Sequence, residues 1–204
     1  MKRLLWFVLG VGAPAVVALW VFTQPTPPAT TTATIPEAVD VPRTQLELRS
    51  ARLYPIGATG LFNGLMVEHY PEGALRSRSA VTNGLLHGLS EGWHTNGQLQ
   101  VAEHFKQGIS HGLRTKWHPG GGKLSEANIV EGQLDGAFRK WYESGVLAEQ
   151  VEFSRGQPQG SSLAYFPSGF LKARAKLQTG QVVEQQFWKD GESEETLTAP
   201  HRAP

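Results

Sequence analysis

Glycine recurs at a fixed interval over more than half of this chain, and no other feature restricts its fold as strongly. Gly64, Gly88, Gly112, Gly136 and Gly160 lie 24 residues apart. So do Gly73, Gly97, Gly121, Gly145 and Gly169, and so do Gly84, Gly108, Gly132, Gly156 and Gly180. Fifteen of the 21 glycines after residue 50 fall in these columns, which excludes a glycine-rich loop region with accidental spacing. Apolar columns keep the same period: Trp93, Trp117, Trp141 and Tyr165; Leu75, Leu99, Leu147 and Leu171, with Leu124 displaced by one; and Val81, Phe105, Ile129, Phe153 and Leu177. Full repeats run near 64–87, 88–111, 112–135, 136–159 and 160–183.

A unit of this length is too short for a helix pair, and its residues alternate as in strands. Leu89 to His94 form one run, Thr95-Asn-Gly97 a turn, and Leu99 to Lys106 a second run. Gly108 to Gly112 carry the next connection. Pro71, Pro119 and Pro167 stand at the first turn position, where a type I′ turn needs a positive φ that proline cannot adopt. A type I turn followed by a left-handed glycine (Gly73, Gly97, Gly169) is expected instead, and it places Trp93 opposite Leu99. The expected fold class is all-β: an antiparallel β-hairpin meander of roughly a dozen short strands, ~55 Å long at ~4.8 Å per strand, each unit touching only its neighbours.

The N-terminus reads differently. After Met1-Lys-Arg3, residues 4–22 are uncharged and apolar, enough for roughly 28 Å of helix against a hydrocarbon core of ~30 Å. Trp6 and Trp20 sit near the two ends of this span, and no Lys or Arg occurs between Arg3 and Arg43. Residues 1–22 are therefore expected to be an uncleaved signal anchor, one transmembrane helix in the inner (cytoplasmic) membrane with the remainder outside the cytoplasm. Cleavage near Thr31-Thr-Ala33 is the alternative, leaving a secreted or periplasmic product. The Pro/Thr-rich residues 23–44 suit an extended spacer, 45–191 the repeat domain, and the polar 192–204 a disordered tail.

The run His87-Gly-Leu-Ser-Glu-Gly-Trp-His-Thr-Asn-Gly-Gln-Leu99 resembles the bacterial variant of the MORN repeat, and Gly60-Leu-Phe-Asn-Gly64 is similar to the entry of that family. The resemblance covers about residues 52–191. It implies a scaffold or binding role, since MORN repeats are associated with scaffolding and attachment near membranes. Bacterial members often carry an antitoxin label, which implies an antitoxin-type binding protein as the alternative. An exported domain fits that alternative poorly, because a toxin's usual targets are cytosolic.

The remaining chemistry is largely absorbed by the repeat. The chain has no cysteine, which excludes disulfides, thiolate metal sites and a cysteine nucleophile. Its net charge of +1 gives no bulk polyanion-binding character, and no nucleic-acid partner is expected. Gly88-Leu-Ser-Glu-Gly92 matches the G-x-S-x-G nucleophile elbow, but that elbow turns from strand into helix, whereas Ser90 occupies an ordinary strand position. Gly120-Gly-Gly-Lys123 lacks the spacing of a phosphate loop and suits a hairpin turn. His87 and His111, like His94 and His118, stand one repeat apart, roughly 10 Å across two strands, too far to share a metal. No catalytic residue, cofactor or metal ligand is assigned.

Alternation distributes the side chains over two faces. Trp93, Trp117, Trp141 and Tyr165 mark a candidate apolar packing face, taken to include Leu99, Val101, Glu103, Phe105 and Leu113. The opposite face collects nine cations: Arg76, Arg78, Lys106, Arg114, Lys116, Lys140, Lys172, Arg174 and Lys176. Of these, Arg76, Arg78, Lys106, Arg114 and Lys116, with His94, His104 and His118, form the candidate binding face. An unknown protein or an anionic envelope component is the expected partner, with self-association through the apolar face. The division depends on the register through the Gly108–Gly112 connection, which the sequence leaves open.

Overall fold

The computed structural model describes residues 40–192. The expected membrane span, most of the spacer and the tail from 193 lie outside the described residues. Among the described residues no helix is long and apolar enough to cross a membrane, and the only helix is a 3-10 turn at Arg43–Gln45.

Fourteen strands form: β1 Asp40–Pro42, β2 Leu46–Arg49, β3 Arg52–Pro55, β4 Gly64–His69, β5 Leu75–Thr82, β6 Leu85–Trp93, β7 Leu99–Lys106, β8 Ile109–Trp117, β9 Lys123–Val130, β10 Gln133–Trp141, β11 Leu147–Ser154, β12 Gln157–Tyr165, β13 Leu171–Gln178 and β14 Gln181–Phe187. Twelve make one sheet in the order β1-β4-β5 and onward to β14; β2 and β3 form a separate hairpin. Every neighbour pair from β4 to β14 is antiparallel, as expected of the meander, while β1 joins β4 in parallel. The expected spacer boundary at residue 44 thus falls inside structured chain.

The two kinds of turn differ in chemistry. At the first, the Gly73, Gly97, Gly121, Gly145 and Gly169 N–H groups donate to the carbonyls of Tyr70, His94, His118, Tyr142 and Phe166 three residues earlier. Each glycine is left-handed, with φ between 83° and 91°. This is the type I turn with a glycine bulge, and Trp93 pairs with Leu99 as expected. Gly120-Gly-Gly122 is one of these turns with no residue inserted. Lys123 therefore takes the leucine column opposite Trp117, and Leu124 is not a displaced member of it.

The second turn corrects the expected connection through Gly108–Gly112. It has two residues, both at positive φ: Asn83-Gly84, Gln107-Gly108, Glu131-Gly132, Arg155-Gly156 and Thr179-Gly180. That is the type I′ loop, and it pairs Lys106 directly with Ile109. Gly112 lies within β8, at φ 100°, inside a bulge that sets Phe105 against Ser110 and Glu103 against Arg114. A second bulge at Gln100 lets Trp93 pair with Leu99 while Gly92 pairs with Val101. A two-residue loop in place of the expected Gly108–Gly112 connection, and a bulge at the other end, each exchange the faces of everything beyond.

The consequence is a different division of side chains. Val81, Phe105, Ile129, Phe153 and Leu177 pair with the glycine column Gly64, Gly88, Gly112, Gly136 and Gly160 and define what is called here the core face. Ile129 is 2% exposed there, which in a single-layer sheet requires neighbouring columns to close over it. Trp93, Trp117, Trp141 and Tyr165 each follow a core-face residue, so alternation turns them to the other side, the tryptophan face. The expected union of the tryptophan column with Val101 and Phe105 does not form.

At the N-terminal end the β2–β3 hairpin contributes Leu46 and Leu53 to a buried cluster with Phe62 and Val81, against which Val41, Met66 and Leu86 pack. Backbone bonds lock it in place: Leu53 N–H to Gly84, Gly84 N–H to Phe62 and Phe62 N–H to Leu53, each 2.9 Å.

Candidate functional site

The eight candidate residues do not share a surface. Lys106 and His104 follow Phe105 and Glu103 in alternation and lie on the tryptophan face, as does Arg78, which pairs with Glu91. Arg114 and Lys116 pair with Glu103 and Val101 on the core face. His94 and His118, one residue beyond their tryptophans, return to that side. The expected row of like charges is broken further by ion pairs. Arg114 binds Glu103, which also accepts from Ser110; Arg78 lies 3.1 Å from Asp40, and Arg76 lies 3.9 Å from Glu68. Arg78 and Arg76 are solvent-exposed, so their pairs add little stability, but they do cancel charge.

Both histidine columns have structural work. His94 Nε2 lies 3.0 Å from the Trp117 carbonyl, and His118 Nε2 lies 3.1 Å from the Trp141 carbonyl. A carbonyl only accepts, so Nε2 is the donor in both bonds. Tyr70 and Tyr142 fill the same column, and their hydroxyls donate to the Trp93 and Tyr165 carbonyls at 2.8 Å. In the first four repeats one hydrogen bond therefore ties residue i to residue i+23, and Phe166 ends the series in the fifth. The other column, Asn63, His87 and Asp135, accepts from the backbone N–H of the type I′ turn 20 residues later, at Asn83, Gln107 and Arg155. Along the same edge, the Gly108, Gly132 and Gly156 N–H groups donate to Leu86, Ser110 and Leu134, one repeat back. Both edges of the sheet are thus laced from repeat to repeat. Among the described residues, no group of three His, Asp or Glu side chains lies close enough to hold a metal ion.

Gly88-Leu-Ser-Glu-Gly92 runs inside β6, not at a strand-to-helix turn, and the Ser90 hydroxyl lies 2.7 Å from that of Ser79. Alternation puts Glu91 on the opposite face from Ser90 and His94.

Four candidates do converge. His94, Arg114, Lys116 and His118 line a groove of about 630 Å³ on the core face, together with Gln100, Val101, Glu103, Trp117, Pro119 and Leu124. A second groove of about 350 Å³ shares His118 and Leu124 with the first and continues one repeat onward past Lys140, Trp141, Tyr142, Glu143, Glu149, Tyr165 and Lys172. The two make a trough running across the strands. Sequence reasoning placed Lys140 among the cations but left it out of the candidate site, and it put Glu103 with the tryptophans. The 24-residue step from Lys116 to Lys140 and from His94 to His118 was the signal that could have joined them. Chemically the trough offers lysine ammonium donors, two imidazoles, an amide, aromatic side chains and the carboxylates of Glu103, Glu143 and Glu149, beside the apolar Val101 and Leu124. That set suits binding of a polar, extended ligand.

Residues 86–107 and 134–154 match the family model for the MORN repeat variant. The first match spans most of the β6–β7 hairpin and the second most of β10–β11. The shared register of the hairpins between and beyond them shows that these units are built alike. No curated protein matches the chain. The family match supports a repeat-based binding or scaffold module.

Proposed function

We propose that this chain is a membrane-tethered repeat module that binds a protein or an envelope component outside the cytoplasm and catalyses no reaction. The observation that carries the binding role is the trough, an open channel crossing successive repeats whose lysines are not consumed by the hydrogen bonds that lace the sheet. The tether rests on the apolar residues 4–22 behind Lys2 and Arg3, and on the absence of Lys and Arg from there to Arg43.

Photo-crosslinkers placed at Gln100 and Leu124 in the full chain in cells test the reading. They should capture one partner that crosslinkers at Lys106 and Ile109, on the tryptophan face, do not. Capture from the tryptophan face alone would move the working surface there. A reporter active only outside the cytoplasm, fused after Arg43, should be active, and the chain should stay in membranes after alkaline extraction.

A further inference from the structure

The trough is periodic, and its lysines follow the period. Lys116 on β8 and Lys140 on β10 each pair with Ser125 of the strand between them, so both stand on the core face, two strands apart. Strand spacing makes that separation ~9.6 Å. Neither lysine makes an ion pair among the described residues, whereas Arg76, Arg78 and Arg114 each have a carboxylate. Glu149 stands opposite Lys140 on β11 without closing an ion pair with it.

An extended peptide advances ~3.1–3.4 Å per residue, so three residues span ~9.3–10.2 Å. Carboxylates at positions i and i+3 would meet the two lysines without stretching either chain. In a polyproline II conformation three residues also complete one turn, so both carboxylates face the same way. Such a segment keeps its backbone groups unpaired, and the trough presents polar partners for them in the Gln100 amide and the imidazoles of His94 and His118. Aromatic residues also line the trough, Trp117 in one groove and Trp141, Tyr142 and Tyr165 in the other, so a sugar polymer is kept as a competing outcome of the test.

We propose that the trough binds an extended acidic segment of a partner protein whose carboxylates are spaced three residues apart, one seated on Lys116 and the next on Lys140. This rests on the binding-module reading above and names its partner class.

The test uses the full chain and two labelled synthetic peptides of equal composition. One has four Glu-Pro-Pro units in series, and the other has its four glutamates contiguous, followed by the prolines. Fluorescence anisotropy should show the spaced peptide binding at least about fivefold more tightly. Lys116→Glu with Lys140→Glu should weaken it about tenfold or more, the scale of two solvent-exposed charge pairs. Lys106→Glu with Lys176→Glu, the same charge change on the tryptophan face, should leave the affinity within about twofold; thermal melting checks that both variants fold. Absent binding, equal affinity for the two peptides or equal loss in the two variants would overturn the inference, as would preference for polygalacturonate or anionic phospholipid vesicles over the spaced peptide. If the crosslinkers at Gln100 and Leu124 capture a partner while peptide spacing has no effect, the binding module stands and this inference falls.

Discussion

At the N-terminal end of the long sheet, β1 pairs along β4, and the β2–β3 hairpin closes over Phe62 and Val81. At the C-terminal end, no strand among the described residues pairs with the outer side of β14, all seven of whose residues are exposed. Phe62 is 5% exposed at the first end, and Phe187 is 66% exposed at the second. The sequence marks the difference. The column that holds Gly64, Gly88, Gly112, Gly136 and Gly160 holds Glu184 in β14. Without the glycine, the bulge against β13 shortens: Leu177 pairs with Val182 and Lys176 with Glu184, a slip of one residue where the earlier repeats slip by two. Trp188 therefore arrives one residue ahead of its column. It is buried, with the Arg174 guanidinium 6.0 Å from its ring centre. A repeat array has to end somewhere, and here one end is covered by added elements while the other stops by departing from the repeat.

The largest test of this contrast is truncation at the two ends. Phe62→Ala should cost about 3–5 kcal/mol in urea unfolding, as a buried aromatic does, whereas Phe187→Ala should cost less than about 0.5 kcal/mol. Equal costs would mean that the two ends are equally packed. A smaller gap should separate two glycines of the same turn type. A Cβ at Gly84 would sit 2.8 Å from the Leu53 carbonyl oxygen, while one at Gly180 would meet nothing within 4 Å. Both are left-handed, so Gly180→Ala carries only the conformational penalty of about 1 kcal/mol, and Gly84→Ala should cost about 2 kcal/mol more because backbone must move. Next comes the lacing. His94→Ala removes the bond to the Trp117 carbonyl and should cost about 1 kcal/mol, with Tyr142→Phe in the same column costing a similar amount. The smallest expected effect is in local opening: amides of β13 and β14 should exchange with solvent faster than those of β5 and β6 at equal global stability, by a factor read from native-state hydrogen exchange.

The period, the strand count and the first turn were legible because Pro71, Pro119 and Pro167 exclude one turn type and the following glycines select another. The second turn was not. Only Asn83-Gly84 carries the residue pair that announces a type I′ loop; Gln107, Glu131, Arg155 and Thr179 adopt positive φ although their side chains do not favour it. Tertiary lacing by the adjoining glycine N–H groups holds them there. Loop length and bulge position decide which side chains share a face, so an unread two-residue loop and an unread bulge dissolved the expected row of nine cations. The trough nevertheless kept four of the eight candidates, because His94 and His118 are set by the first turn, and Arg114 and Lys116 by alternation leading into it.

The lacing also fixes how the molecule bears load. The strands lie across the long direction of the sheet, so tension applied between β1 and β14 pulls neighbouring strands apart sideways. Their hydrogen bonds are then loaded one after another instead of all together in shear. Such a sheet yields by unzipping, and the i to i+23 ties make the natural step a whole repeat, releasing 24 residues of slack at a time. β14, whose outer side pairs with no strand among the described residues, is the weakest rung. A module held at one end and gripped at the other would lengthen in even increments from its far end, while the hairpin-covered end stayed folded.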